Sequence, residues 1–308
     1  MQVTVSTSPH LKSNIKTAII MRQVMIALIP VVIAAVVFFK YRAIWLMLNC
    51  VLSAVISEKI ILRIRAKSTS TKDGSAALSG LLLALILPPS IEWYAATLGS
   101  VFAIVVAKQL FGGLGSNIFN PALIGRAFLM AAYPKMLTTF VEPFAVDTVS
   151  GATPLALQKF SHITTSSVKL FWGNVPGSLG ETCAIAIIIG GVYLLIKKIA
   201  DWRIPLSLLV TTTCITIVFH WYKPQSGSIL FHFLSGGLLL GAFFMATDPV
   251  TTPVTKSGRY IFGVGCGILM MIIRYFSGLP EGMMYSILFM NSLTPLINRY
   301  TRPKRFGT

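Results

Sequence analysis

The string Asp147-Thr148-Val149-Ser150-Gly151-Ala152-Thr153-Pro154 sets a hydroxyl at the start of a helix. Thr153 before Pro154, then Leu155-Ala156-Leu157-Gln158, reads as an N-cap and a first helical residue, where proline's missing N–H costs nothing. A helix start leaves backbone N–H groups unpaired beside the positive end of the helix dipole, so it suits a phosphate. Gly151 and Ala152 leave room for something bulky to reach the Thr153 hydroxyl. On the residues alone an ordinary capped surface helix is the simpler reading, with phosphate binding beside it.

A second set of residues is notable for its surroundings. Glu58, Lys108, Arg126 and Asp248 stand in or at the ends of long apolar stretches. Ionisable groups at membrane depth are costly and mark function by default, although side chains near a segment end also snorkel to the interface. Asp248 precedes Pro249 and Pro253, which suits either a helix-ending turn or the lining of an ion or cofactor site; Asn120 and Arg126 are grouped with it as candidates. His220 and His232 lie on apolar faces and read as satisfied core or interfacial histidines. Cys50, Cys183, Cys214 and Cys266 are single, with no Cys-x-x-Cys and no histidine at ligand spacing, so buried structural thiols are expected and a metal or iron–sulfur site is not.

The elements that position these residues follow from charge. The 308 residues carry 26 Lys plus Arg and 9 Asp plus Glu, 55% are hydrophobic, and mean hydropathy is +0.77. Charged residues are 11% of the chain, against about 25% in soluble domains, which excludes a soluble protein. Uncharged gaps of 15 to 24 residues recur, near the ~20 that cross a bilayer core. Ten membrane segments are predicted near 20–39, 43–62, 75–90, 93–110, 118–133, 181–199, 204–222, 227–247, 258–275 and 282–298, the third and fifth being short. Pro88-Pro89 stops the third, and Trp93-Tyr94 and Trp221-Tyr222 stand at interfaces. The chain start is polar and shows no cleavable leader.

Alternating the connections puts 18 basic residues on one side and 7 on the other, with Arg126 inside a span. A net charge of +17 would suggest nucleic acid if it formed one patch, but these residues lie in short clusters between apolar runs. The positive-inside rule then places both termini in the cytoplasm and the 134–180 connection outside.

Similar strings recur in order. Leu78-Ser79-Gly80 returns as Leu234-Ser235-Gly236, Tyr94 and Gly99 as Tyr260 and Gly265, and Asn117, Pro121 and Arg126 as Asn291, Pro295 and Arg299. Two copies of five spans must enter the membrane in opposite senses, which is the inverted-repeat architecture of many transport proteins. The expected fold is therefore an all-α polytopic membrane protein of about ten helices, some broken or short. Its parts are an N-terminal arm (1–19), a first repeat (20–133), an outer loop (134–180), a second repeat (181–298) and a basic tail (299–308). Helix breaks are expected at Asn117–Pro121 and Asn291–Pro295, with proline kinks in packed helices as the alternative.

The 147–153 string resembles a flavinylation signature, Asp-x-x-Ser-Gly-Ala-Thr, with every fixed position matched. Gly112-Gly113-Leu114-Gly115-Ser116-Asn117-Ile118-Phe119-Asn120-Pro121-Ala122 and Ala246-Thr247-Asp248-Pro249-Val250-Thr251-Thr252-Pro253 resemble further landmarks of the NqrB/RnfD family, from about residue 15 onward. The short N-terminal arm favours the RnfD branch, found in Rnf electron transport complexes, over the NqrB branch, found in Na+-translocating NADH:quinone reductases. The resemblance implies a redox subunit in the inner membrane of a prokaryote, within a complex that moves electrons between ferredoxin and NAD and couples them to Na+ or H+.

It further implies flavin mononucleotide (FMN) joined through its phosphate to Thr153 by an extracytoplasmic transferase, with Asp147, Ser150, Gly151 and Ala152 as the transferase's recognition residues. A non-covalent riboflavin is also implied, sought near 117–126 and 291–299 on architectural grounds, and the partners are iron–sulfur and flavin subunits. The outward placement of Thr153 by charge counting agrees with the side on which the transferase works. A permease with an ordinary helix cap, and a passive scaffold, are the competing readings.

Overall fold

The computed structural model describes residues 17–65, 73–144, 150–223 and 227–302. Long apolar runs with few charges become helices, because in hydrocarbon every backbone group must find its partner within its own segment. Among the described residues, four helices are long and apolar enough to cross a membrane: α1 (Thr17–Phe39), α2 (Tyr41–Ile64), α10 (Arg203–Tyr222) and α13 (Lys256–Phe276). Their outer faces carry exposed Ile29, Ile33, Trp45, Ile56, Ile217 and Ile272, as lipid contact requires.

Between them lie shorter elements. Helices α3 (Ser75–Ile86), α5 (Pro121–Ala132) and α9 (Ala184–Ile196) have 12, 12 and 13 residues, roughly 18–20 Å at 1.5 Å per residue. Helix α4 (Trp93–Phe102) runs into a π-helical stretch over Ala103–Gln109. Helices α11 (Ile229–Leu234) and α12 (Leu238–Leu240) are separated by the Ser235-Gly236-Gly237 break, and α12 continues as a π-helix over Gly241–Met245. Helix α14 (Met283–Tyr300) closes the order. The 134–180 connection holds α6 (Pro134–Thr138), β1 (Phe140–Val141), β2 (Ser150–Gly151), α7 (Pro154–Ser161) and α8 (Ser167–Trp172).

The short helices form the centre. Nine of the twelve residues of α3 and all five of Gly241–Met245 are buried, whereas α1 and α2 bury a single stripe. A helix apolar all round belongs in a core, and these two are enclosed by the longer ones.

Equivalent pairings recur in the two halves. Helix α2 packs on α4 as α10 packs on α13, α4 on α5 as α13 on α14, and α1 on α3 as α9 on the 238–245 helix. The first helices of the halves, α1 and α9, meet each other, and so do the fifth, α5 and α14. Glycine permits the closest crossings: a Cβ on Gly190 of α9 would stand 2.1 Å from the Ala27 carbonyl oxygen of α1. One on Gly263 of α13 would stand 1.9 Å from Ser207 Oγ of α10.

The two expected breaks differ. At Asn117–Pro121 the chain is open, and α5 starts afresh with Asn120 as its N-cap. At Asn291–Pro295 it is not broken, because Pro295 sits inside the continuous helix α14. In this half the break falls instead at Ser235-Gly236-Gly237, where Gly236 has φ +68°, a value that glycine adopts without strain.

Candidate functional site

Thr153 is the N-cap of α7, accepting the Ala156 N–H at 3.3 Å, with Pro154 as first helical residue. The motif is pinned by β1 and β2, which pair antiparallel with Phe140 opposite Gly151 and Val141 opposite Ser150. A Cβ on Gly151 would come within 3.1 Å of Glu142 and Pro176, so the missing side chain also permits close packing there. Ala152 is exposed and Thr153 half-buried. Asp147 lies outside the described residues. At the far end of α7, Lys159 donates to the carbonyls of Arg274 and Leu279 at 2.8 Å each, so it satisfies orphan acceptors near the end of α13. Partial burial lowers the Lys159 ammonium below its ordinary value.

Thr153 stands on the wall of a cavity whose empty space, counted to its open mouth, is about 820 Å³. Its sides are largely apolar, with Leu137, Phe140, Leu155 and Leu170 among them, and Arg126, Glu181 and Glu281 also line it. Arg126 does not snorkel. Its Nη1 donates to Glu181 Oε1 at 3.3 Å and its Nη2 to Glu281 Oε2 at 2.9 Å, and the pairs are largely enclosed. Glu281 Oε1 also accepts the Gly237 N–H at 2.5 Å. The arginine of α5 thus ties the first half to the second.

The second cavity, of about 680 Å³ by the same measure, lies toward the other end of α5 and is lined by Asn117, Asn120, Lys108, Asp248, Leu78 and Phe244 among others. The grouping of Asp248, Asn120 and Arg126 is therefore divided: the first two share this cavity, whereas Arg126 lines the Thr153 cavity. Asn120 also donates to Met245 O at 3.5 Å, across the interface of the halves. Asp248 closes a turn, accepting from the Val250 N–H and the Thr251 hydroxyl while its main-chain oxygen accepts from Thr252. It is both a turn residue and a cavity residue.

Lys108 and Glu58 do not snorkel either. The π-helical stretch turns Lys108 inward, where Nζ donates to Glu58 Oε1 and Ser75 Oγ, both at 2.5 Å, and Gln109 donates to the same Glu58 oxygen at 2.9 Å. His232 is buried against Tyr275, whose hydroxyl is 3.2 Å from Nε2, while His220 is exposed. Cys50, Cys183 and Cys266 are buried as expected, but Cys214 is exposed on α10 because it falls on that helix's outer face.

Sequence reasoning missed Glu181 and Glu281 as partners of Arg126. They lie 55 and 155 residues from it, so no local spacing joins them. The available signal was scarcity: they are two of only nine acidic residues, and both adjoin apolar segments.

A profile of the NQR2, RnfD, RnfE family matches residues 4–307. The chain belongs to this family. Family relatives match over nearly their whole length. The chain is 44% identical to the subunit designated D in the Na+-translocating ferredoxin:NAD+ oxidoreductase complex of Acetobacterium woodii, across 100% of the chain and 96% of the relative. It is 42% identical to the subunit of the same letter in the proton-translocating ferredoxin:NAD+ oxidoreductase complex of Clostridium ljungdahlii, across 99% and 96%. It is 36% identical to its counterpart in the ion-translocating oxidoreductase complex of Escherichia coli, across 98% of each.

Proposed function

We propose that this chain is the membrane flavoprotein subunit of an Rnf-type complex, carrying electrons between ferredoxin and NAD carriers through FMN esterified to Thr153. The observation that carries the reading is the position of that hydroxyl: half-buried, on a helix N-cap, on the wall of a cavity with apolar sides, within a complete flavinylation string. The residues fit the group. The positive end of the α7 dipole, with the Leu155 N–H not used in the cap, suits a phosphate, and a mostly apolar cavity with few polar groups suits a flat heteroaromatic ring. Bound there, FMN supplies one- and two-electron redox chemistry. The chain holds it covalently, orients it and limits water around it.

The relatives at 44% and 42% identity are named for different ions, so likeness of sequence does not choose between Na+ and H+ here. The second cavity, with Asn120 and Asp248, is the place for the non-covalent riboflavin or for ion passage. Iron–sulfur and flavin subunits are the partners, and an extracytoplasmic transferase loads Thr153. The location is the prokaryotic inner membrane, with both termini cytoplasmic. The quinone-reductase branch of the family and a non-redox permease are the rivals.

To test the reading, the full chain is co-expressed with a flavin transferase and extracted with acid. Flavin that stays on the wild-type polypeptide and is absent from Thr153→Ala supports the proposal. Equal retention in both would sink it.

A further inference from the structure

We infer that Arg126 and Thr182 form the polar contact for the flavin ring inside the Thr153 cavity, an inference that rests on the attachment proposed above. Both residues line that cavity. Glu181 and Glu281 each accept one hydrogen bond from Arg126, through Nη1 and Nη2. Its third nitrogen, Nε, is buried and has no partner among the described residues; the hydroxyl of Thr182, 2% exposed, has none either.

Buried donors without acceptors are rare and costly, and two on one cavity wall mark the place of a ligand that accepts hydrogen bonds. The ring system of a flavin has such an edge, made of carbonyl oxygens and ring nitrogens, opposite an apolar edge that the leucine and phenylalanine walls would suit. Hydrogen-bond donors at the accepting edge of a flavin favour the electron-rich reduced ring over the oxidised one. Arg126 and Thr182 are thus positioning residues that raise the flavin's reduction potential. Neither takes part in the attachment at Thr153.

The test uses the full chain co-expressed with a flavin transferase, as wild type, Arg126→Lys and Thr182→Val. Lysine keeps a cation for the two glutamates while removing Nε, and valine removes one hydroxyl with little change of shape. Three readouts are taken: the mass of the Thr153 peptide, the visible absorption of the bound flavin, and a redox titration. The expected result is an intact adduct in all three proteins, a displaced absorption band in both variants, and a more negative midpoint. For Arg126→Lys the reduced-to-oxidised ratio at a given ambient potential should fall about tenfold, which is ~59 mV for a one-electron step. Thr182→Val should move the same way by less, and it decides alone if Arg126→Lys does not fold. Adducts of wild-type absorption and midpoint in the folded variants would overturn the inference. A wild-type chain without any adduct would overturn the attachment and this inference with it.

Discussion

Under the proposed attachment, one oxygen of Thr153 has two roles. Its Oγ1 accepts the Ala156 N–H and so completes α7, and the same atom would form the phosphoester; phosphate oxygens at that N-terminus can then take over the N–H. Loss of a cap is worth about 1 kcal/mol, so Thr153→Ala should fold. The buried pair Lys108 and Glu58 behaves differently. Lys108→Met would leave a carboxylate enclosed without its cation, and should cost about 3–5 kcal/mol in a detergent unfolding titration, most of it recovered in the double variant Lys108→Met, Glu58→Gln. If the double variant is as unstable as the single, the pairing account fails.

Asp201, in the connection between α9 and α10, gives a pH dependence. Partial burial raises its carboxyl, but the Arg203 N–H and the guanidiniums of Arg259 and Arg203 outweigh this and hold it below the ordinary value. A carboxyl depressed by folding contributes stability that is present above its unfolded value of ~3.9 and is lost as pH falls through the folded one. Melting temperatures of wild type and Asp201→Asn should therefore differ at pH 6 and converge in acid below about pH 4. A constant gap would show that Asp201 acts through packing. Of these partners only Arg203, two residues from Asp201, is readable locally: Lys108 and Glu58 are 50 residues apart, and Arg126 reaches 155 residues along the chain.

At the scale of elements, the apolar segments were legible and their continuity was not. Hydropathy windows and their flanks predict 20–39, 204–222 and 258–275, and the helices span Thr17–Phe39, Arg203–Tyr222 and Lys256–Phe276. The reason is physical: the cost of placing charge in hydrocarbon writes segment limits into composition. Breaks depend on where a residue falls within a helix. Pro121 begins one, where its lack of an N–H is harmless, while Pro295 lies inside α14 and the helix continues through it.

The α1 crossing on α9 is a further test at this scale. Gly190→Leu would drive a side chain into the Ala27 carbonyl, and its cost should reach about 1–3 kcal/mol or more, read from thermal denaturation in micelles. Ile189→Leu, on the exposed face one residue away, should be nearly silent. Equal effects at the two positions would mean that the helices do not cross at Gly190.

For the whole molecule, the recurrent pairings of the halves and the ion links from Arg126 to Glu181 and Glu281 describe one body with a cavity toward either end of α5. The positive-inside count predicts that the Thr153 cavity faces outward and the Asn120 cavity inward. Ser161→Cys, in the 134–180 connection, and Lys198→Cys, between α9 and α10, should report this in a chain whose native cysteines are replaced by serine. A membrane-impermeant maleimide should label the first in intact cells and the second only after lysis. The reverse order would invert the topology and remove the transferase's access to Thr153.

The central claim is that Thr153 carries a flavin, and the most direct measurement is the mass of its proteolytic peptide from the full chain co-expressed with a flavin transferase. The account predicts a peptide heavier by one FMN less one water, with fragmentation placing the addition on Thr153 and the unmodified mass in Thr153→Ala. An unmodified wild-type peptide, from cells in which the transferase loads another substrate, would contradict it.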